Sequence, residues 1–276
     1  DVMLRAAYSE TIGRPDYVSI QGGTVVGTLA NRSGGGGSAG NPSLLPLESQ
    51  NYDFSAEWYY AEASYLSAGY FRKNVSNFII NITEDKTFTL ANGGLLTDPS
   101  TGANSGAPDS ADSTAVFSNT LPSNGESAIV DGFELAVQHT FESGFGVMAN
   151  ATLVGSNAEL DPADISQVFA LTGLSDSYNL VGFYEQGPFQ ARLAYNWRDT
   201  FVQSLTQSNG DGVVIVEDYA QIDATASYDI TEQLTVVIEG INLTNEYVHK
   251  RGRFANQLLL IEDSGRRVAF GVRGSF

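Results

Sequence analysis

Apolar and polar residues alternate along most of this chain with a period of two, the repeat of an extended strand whose side chains point to opposite faces in turn. The pattern is clearest at 51–60, where Tyr52, Phe54, Ala56, Trp58 and Tyr60 share one face and Asn51, Asp53, Ser55, Glu57 and Tyr59 the other. It opens the chain, with Val2, Leu4, Ala6 and Tyr8 set against Met3, Arg5, Ala7 and Ser9. It also closes it, with Val268, Phe270, Val272, Gly274 and Phe276 against Ala269, Gly271, Arg273 and Ser275. Read throughout, the alternation predicts strands at 2–10, 51–60, 64–80, 127–140, 145–156, 177–184, 189–203, 214–228, 234–247 and 268–276.

The connections between these strands are short and long in turn. Tight turns fall at 61–63, 141–144, 185–188 and 229–233, and long loops at about 11–49, 81–126, 157–176, 204–213 and 248–264. Such a series puts every tight turn at one end of the sheet and every long loop at the other, as in outer-membrane barrels with short periplasmic turns and long extracellular loops. Trp58, Tyr59, Tyr60, Tyr65, Phe141, Phe145, Tyr184, Phe189, Tyr228 and Phe276 cluster towards the tight-turn end, where an interfacial girdle belongs. The expected fold is therefore all-β, a transmembrane antiparallel β-barrel contributing about ten strands. No apolar run approaches the roughly 18–20 residues that a membrane helix needs.

Charge narrows the partners. The net charge of -18 accompanies only 17% charged residues, so it reflects a shortage of Lys and Arg. That argues against nucleic acid, whose phosphates call for a basic patch. Without cysteine there is no disulfide, thiolate metal site or Cys nucleophile. The two histidines are poor material for catalysis: His139 adjoins a tight turn, and His249 opens the basic cluster His249, Lys250, Arg251 and Arg253 at the mouth of the last long loop. No catalytic group, metal or cofactor is expected. The cluster is expected to contact lipopolysaccharide phosphates or pair with Glu262 and Asp263, with attraction of anionic ligands toward the pore as the alternative. Glu57, Glu134, Arg192, Arg198, Asp223, Glu239 and Arg273 fall in the inward phase, facing water or an enclosed domain.

Several segments resemble one family. L-R-A-A-Y-S-E-T-I-G-R-P from Leu4 to Pro15, N-P-S-L-L-P-L-E-S-Q-N-Y-D-F-S-A-E-W-Y-Y from Asn41 to Tyr60, Y-E-Q-G-P-F-Q-A-R-L-A-Y-N-W-R from Tyr184 to Arg198, Asn242-Leu243-Thr244-Asn245 and the terminal Phe276 are similar, in this order, to the C-terminal part of a TonB-dependent outer-membrane receptor barrel. The resemblance implies a 22-stranded barrel of which these are the last ten strands. It implies a plug domain and earlier strands outside these residues, and coupling to TonB through that plug. The expected function is uptake of a scarce nutrient, such as a ferric siderophore, a cobalamin or an oligosaccharide, with this chain supplying barrel wall and extracellular loops. Gly271 and Phe276 resemble the signal read by the barrel-assembly machinery. A passive or structural outer-membrane barrel subunit of a larger surface assembly is the alternative, and it gains if residues 1–10 pair with the last strand.

Overall fold

The computed structural model describes residues 1–26, 35–89, 92–98, 112–167, 169–207 and 210–275, and every regular element among them is a strand. Phe276 and the middles of the first two long loops lie outside the described residues. In chain order the strands are β1 (Val2–Gly13), β2 (Thr24–Val26), β3 (Gly35–Ala39), β4 (Leu47–Ala61), β5 (Ser64–Ser76), β6 (Ile79–Lys86), β7 (Thr97–Asp98), β8 (Ser113–Thr114), β9 (Phe117–Asn124) and β10 (Ala128–Thr140). They continue with β11 (Phe145–Ser156), β12 (Ser177–Gln186), β13 (Phe189–Arg198), β14 (Phe201–Gln207), β15 (Gly210–Val216), β16 (Tyr219–Thr231), β17 (Leu234–Ile241), β18 (Tyr247–Arg251), β19 (Leu258–Asp263) and β20 (Arg267–Gly274).

Ten of them form one sheet in the order β1-β4-β5-β10-β11-β12-β13-β16-β17-β20, one strand for each of the ten that the alternation predicts. The register sets like against like. On one face Leu180 opposes Ala149 and Tyr195, Leu193 opposes Gly182 and Ala224, and Ile238 opposes Ala226 and Phe270. On the other, Asn179 opposes Asn150 and Asn196, and Thr225 opposes Arg192 and Glu239. A one-residue slip would invert every strand, so two-faced burial fixes the pairing. Leu4, Phe54, Phe133, Leu180, Leu193, Ile238 and Phe270 all stand exposed on the apolar face, which makes sense only where the solvent is hydrocarbon.

Aromatic pairs border this face at both ends. Near the tight turns Tyr60 stacks on His139 at 5.7 Å and its hydroxyl meets Nδ1 at 3.0 Å, His139 meets Phe141 edge-on at 4.3 Å, and Phe145 packs on Tyr184 at 4.6 Å. Towards the long loops lie Tyr8 with Tyr52, Tyr70 with Phe133, and Tyr178 stacked on Trp197 at 4.9 Å. The second girdle is not marked in the sequence by tight turns, which flag the first. Tyr178 and Tyr184 are six residues apart, about 20 Å at roughly 3.3 Å per residue, close to the height of a barrel's apolar band.

β1 and β20 each have one neighbour in the sheet, so residues 1–10 do not pair with the last strand, and the sheet keeps two open edges. The predicted long strands are also interrupted. The one predicted at 64–80 breaks at Asn77, in the left-handed region at φ 63. Those at 189–203 and 214–228 break opposite one another, since Arg198 pairs with Tyr219, Phe201 with Val216, and the residues between do not pair. That at 234–247 breaks between Ile241 and Tyr247. Past these breaks a second sheet runs in the order β14-β15-β18-β19, repeating the order of the β13-β16-β17-β20 strands that it continues. The expected loops 204–213 and 248–264 are thus largely paired strand. Outside lipid no face must be apolar, and the period-two signal fades there.

The remaining strands belong to a second unit, residues 10–49 and 75–127, whose sheet runs β2-β3-β9-β6 with β3 and β9 parallel. Asparagines organise its Asn41–Pro46 segment. Asn41 donates to the Pro122 carbonyl at 3.1 Å and accepts from the Ser43 amide at 3.0 Å. Asn124 accepts from the Leu45 amide at 2.8 Å and donates to its carbonyl at 3.0 Å, and Asn77 donates to the Pro46 carbonyl at 3.1 Å. Loops 11–49 and 81–126 therefore contain ordered sheet as well as irregular chain.

Candidate ligand-facing surface and extracellular mouth

The polar face carries a row of amides across four adjacent strands, Asn150, Asn179, Asn196 and Gln221. The Asn179 amide donates to Asn196 Oδ1. A connected path leaves the row at Gln221, which accepts from the Tyr219 hydroxyl at 2.7 Å and donates to both Asp223 oxygens at 2.7 and 2.9 Å. Asp223 Oδ1 in turn accepts the Asn242 amide at 2.9 Å. Beside it the Arg198 guanidinium lies 4.7 Å from the Phe201 ring centre and 5.8 Å from that of Tyr219, a cation–π arrangement. Its Nη1 is buried with no hydrogen-bond partner. Glu57 pairs with Arg5 and accepts from the Tyr59 hydroxyl at 2.6 Å. Glu134, Arg192, Glu239 and Arg273 stand opposite Thr152, Thr225, Ala269 and Thr235, on the same face.

Asn242 is the joint of the wall. Buried to 1% exposure and at φ 55, it donates to the Glu246 carbonyl at 3.0 Å and to the Gly265 carbonyl at 3.4 Å, and accepts the Glu246 amide at 2.8 Å. Asn245, at φ 58, closes the turn by donating to the Asn242 carbonyl at 2.9 Å. Asparagine tolerates the left-handed region because its short side chain bonds locally. Two of them three residues apart were the signal for a break rather than a continuous strand.

The basic cluster does not present four cations on one surface. His249, Lys250 and Arg251 lie on β18, but Arg251 is ion-paired with Glu217, their side chains 18% and 26% exposed, and also donates to the Gly252 and Arg253 carbonyls. Arg253 donates to the Asp161 and Asp164 carbonyls, both at 2.8 Å, and so ties down the 157–176 loop. His249 lines a cleft with Glu217, Asp218, Glu246, Tyr247 and Ile261. The expected partners Glu262 and Asp263 sit instead across from Val248 and Tyr247. On β20 Gly271 opposes Val237.

Freeing Arg251 tests the ion pair. Glu217→Ala should destabilise this hairpin region by about 1–3 kcal/mol, the usual range for a charge-assisted bond, and trypsin should then cleave after Arg251 several-fold faster in intact membranes. An unchanged cleavage rate would show the pair to be inert.

The loop at 157–176 offers a pH test. The Ser166 hydroxyl, donating at 2.6 Å, and then the Ser166 amide hold the Asp164 carboxyl below its ordinary value, with the nearby Arg253 adding to them. A lowered pKa means that the contribution to loop order is full above the unfolded carboxyl value and is lost as pH falls through the folded one. Amide-exchange protection of 161–167 should drop in that acid window, and Asp164→Asn should abolish the dependence. Between this loop and the β14–β15 hairpin lies a cavity of about 320 Å³, lined in part by Leu160, Leu171, Asp176, Asp199, Ile215 and Arg251, large enough for a small ligand.

An antiparallel wall, apolar on one side between two aromatic girdles and amide-rich on the other, defines a membrane β-barrel protein. The model of the family described as TonB dependent receptor-like, beta-barrel matches residues 1–243, and the chain belongs to that family. Its spanning strands accordingly lie in the outer membrane of Gram-negative bacteria. Among solved structures it is similar to the ferric enterobactin receptor of Pseudomonas aeruginosa, with 15% identity, TM-score 0.65, and coverage of 100% of this chain and 38% of that one. The siderophore receptor PirA from Acinetobacter baumannii matches with 16% identity and TM-score 0.64 over 100% and 39%, and the copper transporter OprC with 14% and 0.60 over 100% and 38%. No curated protein matches. The chain thus spans well under half the length of these structural neighbours.

Proposed function

We propose that the chain forms part of the wall and extracellular mouth of a TonB-dependent receptor that takes up a scarce nutrient, with a ferric siderophore favoured over a cobalamin or an oligosaccharide. The observation that carries this reading is the two-faced wall, which continues beyond its apolar band into a hydrogen-bonded mouth with a small-molecule cavity. The two open edges support it further, since a self-contained passive barrel of ten strands would join β1 to β20. On this reading these are the last ten strands of a larger barrel, a plug outside these residues couples to TonB, and Gly271 with Phe276 serves the barrel-assembly machinery. The preference for siderophore rests on the printed names of two of the neighbours. Deleting the gene in its native host tests the reading. Radioiron–siderophore uptake should fall to background and be lost equally when TonB is removed. Uptake that persists without TonB would favour a passive barrel, and loss of cobalamin or oligosaccharide uptake alone would change the substrate.

A further inference from the structure

Two hollows adjoin the Arg251–Glu217 ion pair. Arg251 lines the cavity of about 320 Å³ between the 157–176 loop and the β14–β15 hairpin, and Glu217 lines the cleft at His249. The pair neutralises itself, so the charge that either space offers a ligand comes from the groups around it.

In the cavity those groups are Glu159, Asp176 and Asp199, with no cation besides Arg251 in the lining. The two aspartates are neighbours, since the Asp199 amide donates to the Asp176 carbonyl at 2.8 Å. Asp176 accepts the Val154 amide at 2.8 Å and Asp199 the Thr200 amide at 2.7 Å, each through Oδ1, and neither Oδ2 has a hydrogen bond among the described residues. Other arginines are engaged outside the lining, Arg253 on the Asp161 and Asp164 carbonyls and Arg198 over the Phe201 ring. Leu160, Leu171 and Ile215 supply apolar wall. The cleft has the same sign, with Asp218 and Glu246 against one imidazole. A cavity with apolar walls and a few polar groups is the usual form of a small-molecule site, and the sign of its charge selects among ligands.

We propose that the cavity between the 157–176 loop and the β14–β15 hairpin binds an iron complex that carries a protonated amine on an aliphatic arm. The amine sits at Asp176 and Asp199, and the arm lies along Leu160, Leu171 and Ile215. A strongly anionic tris-catecholate complex would meet carboxylates there and be repelled. The inference rests on the reading of the chain as part of a siderophore receptor and narrows the class of siderophore.

Equilibrium binding to the full-length receptor in outer-membrane vesicles tests it with three probes: the ferric complex of a linear trihydroxamate ending in a free amine, the same complex with that amine acetylated, and a ferric tris-catecholate. The free amine should bind about tenfold more tightly than its acetylated form, the usual effect of one charge-assisted hydrogen bond, and the catecholate should bind most weakly. Asp176→Asn with Asp199→Asn keeps both Oδ1 acceptors, so a heat-modifiable folded band should persist. Affinity for the free amine should fall about tenfold in this variant, with the acetylated complex unchanged. Equal binding of the free and acetylated complexes, tighter binding of the catecholate, binding of none of the three, or an unchanged amine affinity in the double variant would overturn the proposal. Binding needs no TonB, so the two readings fail separately: amine-selective binding without TonB-dependent uptake would sink the transport reading and leave the preference of the cavity standing.

Discussion

Asn242→Ala is expected to cost the wall about 3–5 kcal/mol, because it forfeits both a left-handed residue at roughly 1–2 kcal/mol and a buried set of hydrogen bonds worth 1–3 kcal/mol for each group left unpaired. The side chain satisfies the Glu246 amide and carbonyl and reaches the Gly265 carbonyl, so it fastens the β17–β18 turn to the β19–β20 turn. The two contributions can be separated. Asn242→Gly keeps the backbone conformation and loses the bonds, whereas Asn242→Asp keeps the acceptor and loses the donors, so both should fall between wild type and alanine in a denaturant titration of the folded barrel in bilayers. Alanine no worse than glycine would mean that φ 55 carries no strain.

Gly146→Val should be comparably severe for a different reason. Gly146 is buried opposite Phe183, and a Cβ there would find three carbons of the Phe183 ring within 2.7 Å. Overpacking typically costs about 1–3 kcal/mol, and here the ring has a strand on either side and little room to yield. The folded, heat-modifiable fraction should collapse in Gly146→Val and recover in part when Phe183→Ala is added. A double variant no better than the single would refute ring overlap as the cause. The turn preceding this strand uses glycine in the other way, since Gly144 sits at φ 85 and accepts the Glu185 amide through its carbonyl.

These two positions show why some of the molecule was legible and some was not. The membrane wall could be read because hydrocarbon imposes one rule on every spanning strand, and Leu180, Leu193 and Ile238 obey it with no knowledge of their partners. Which strands are neighbours followed from the tight turns. Beyond the apolar band that rule lapses, so β19, all but the first residue of β18 and the facing halves of β14 and β15 read as loop, and the breaks at 199–200 and 217–218 read as strand. The charges were legible as residue types but not as pairs. Arg251 meets Glu217 only because β15 and β18 are adjacent in the second sheet, a pairing 34 residues apart that no local pattern encodes.

Single-cysteine scanning along β10 and β13 tests the central claim most directly, since the 276 residues contain no cysteine of their own. In intact outer membranes, cysteines at Glu134, Ala136, Gln138, Arg192, Ala194 and Asn196 should react with a water-soluble maleimide once the protein interior is open to solvent. Cysteines at Phe133, Leu135, Val137, Leu193 and Tyr195 should resist it and, carrying a fluorophore, be quenched by nitroxide lipids. Strict alternation in both strands is the predicted result. Equal labelling of neighbouring positions, or lipid quenching in the opposite phase, would contradict the assignment of the apolar face to the membrane and the amide-bearing face to the aqueous interior.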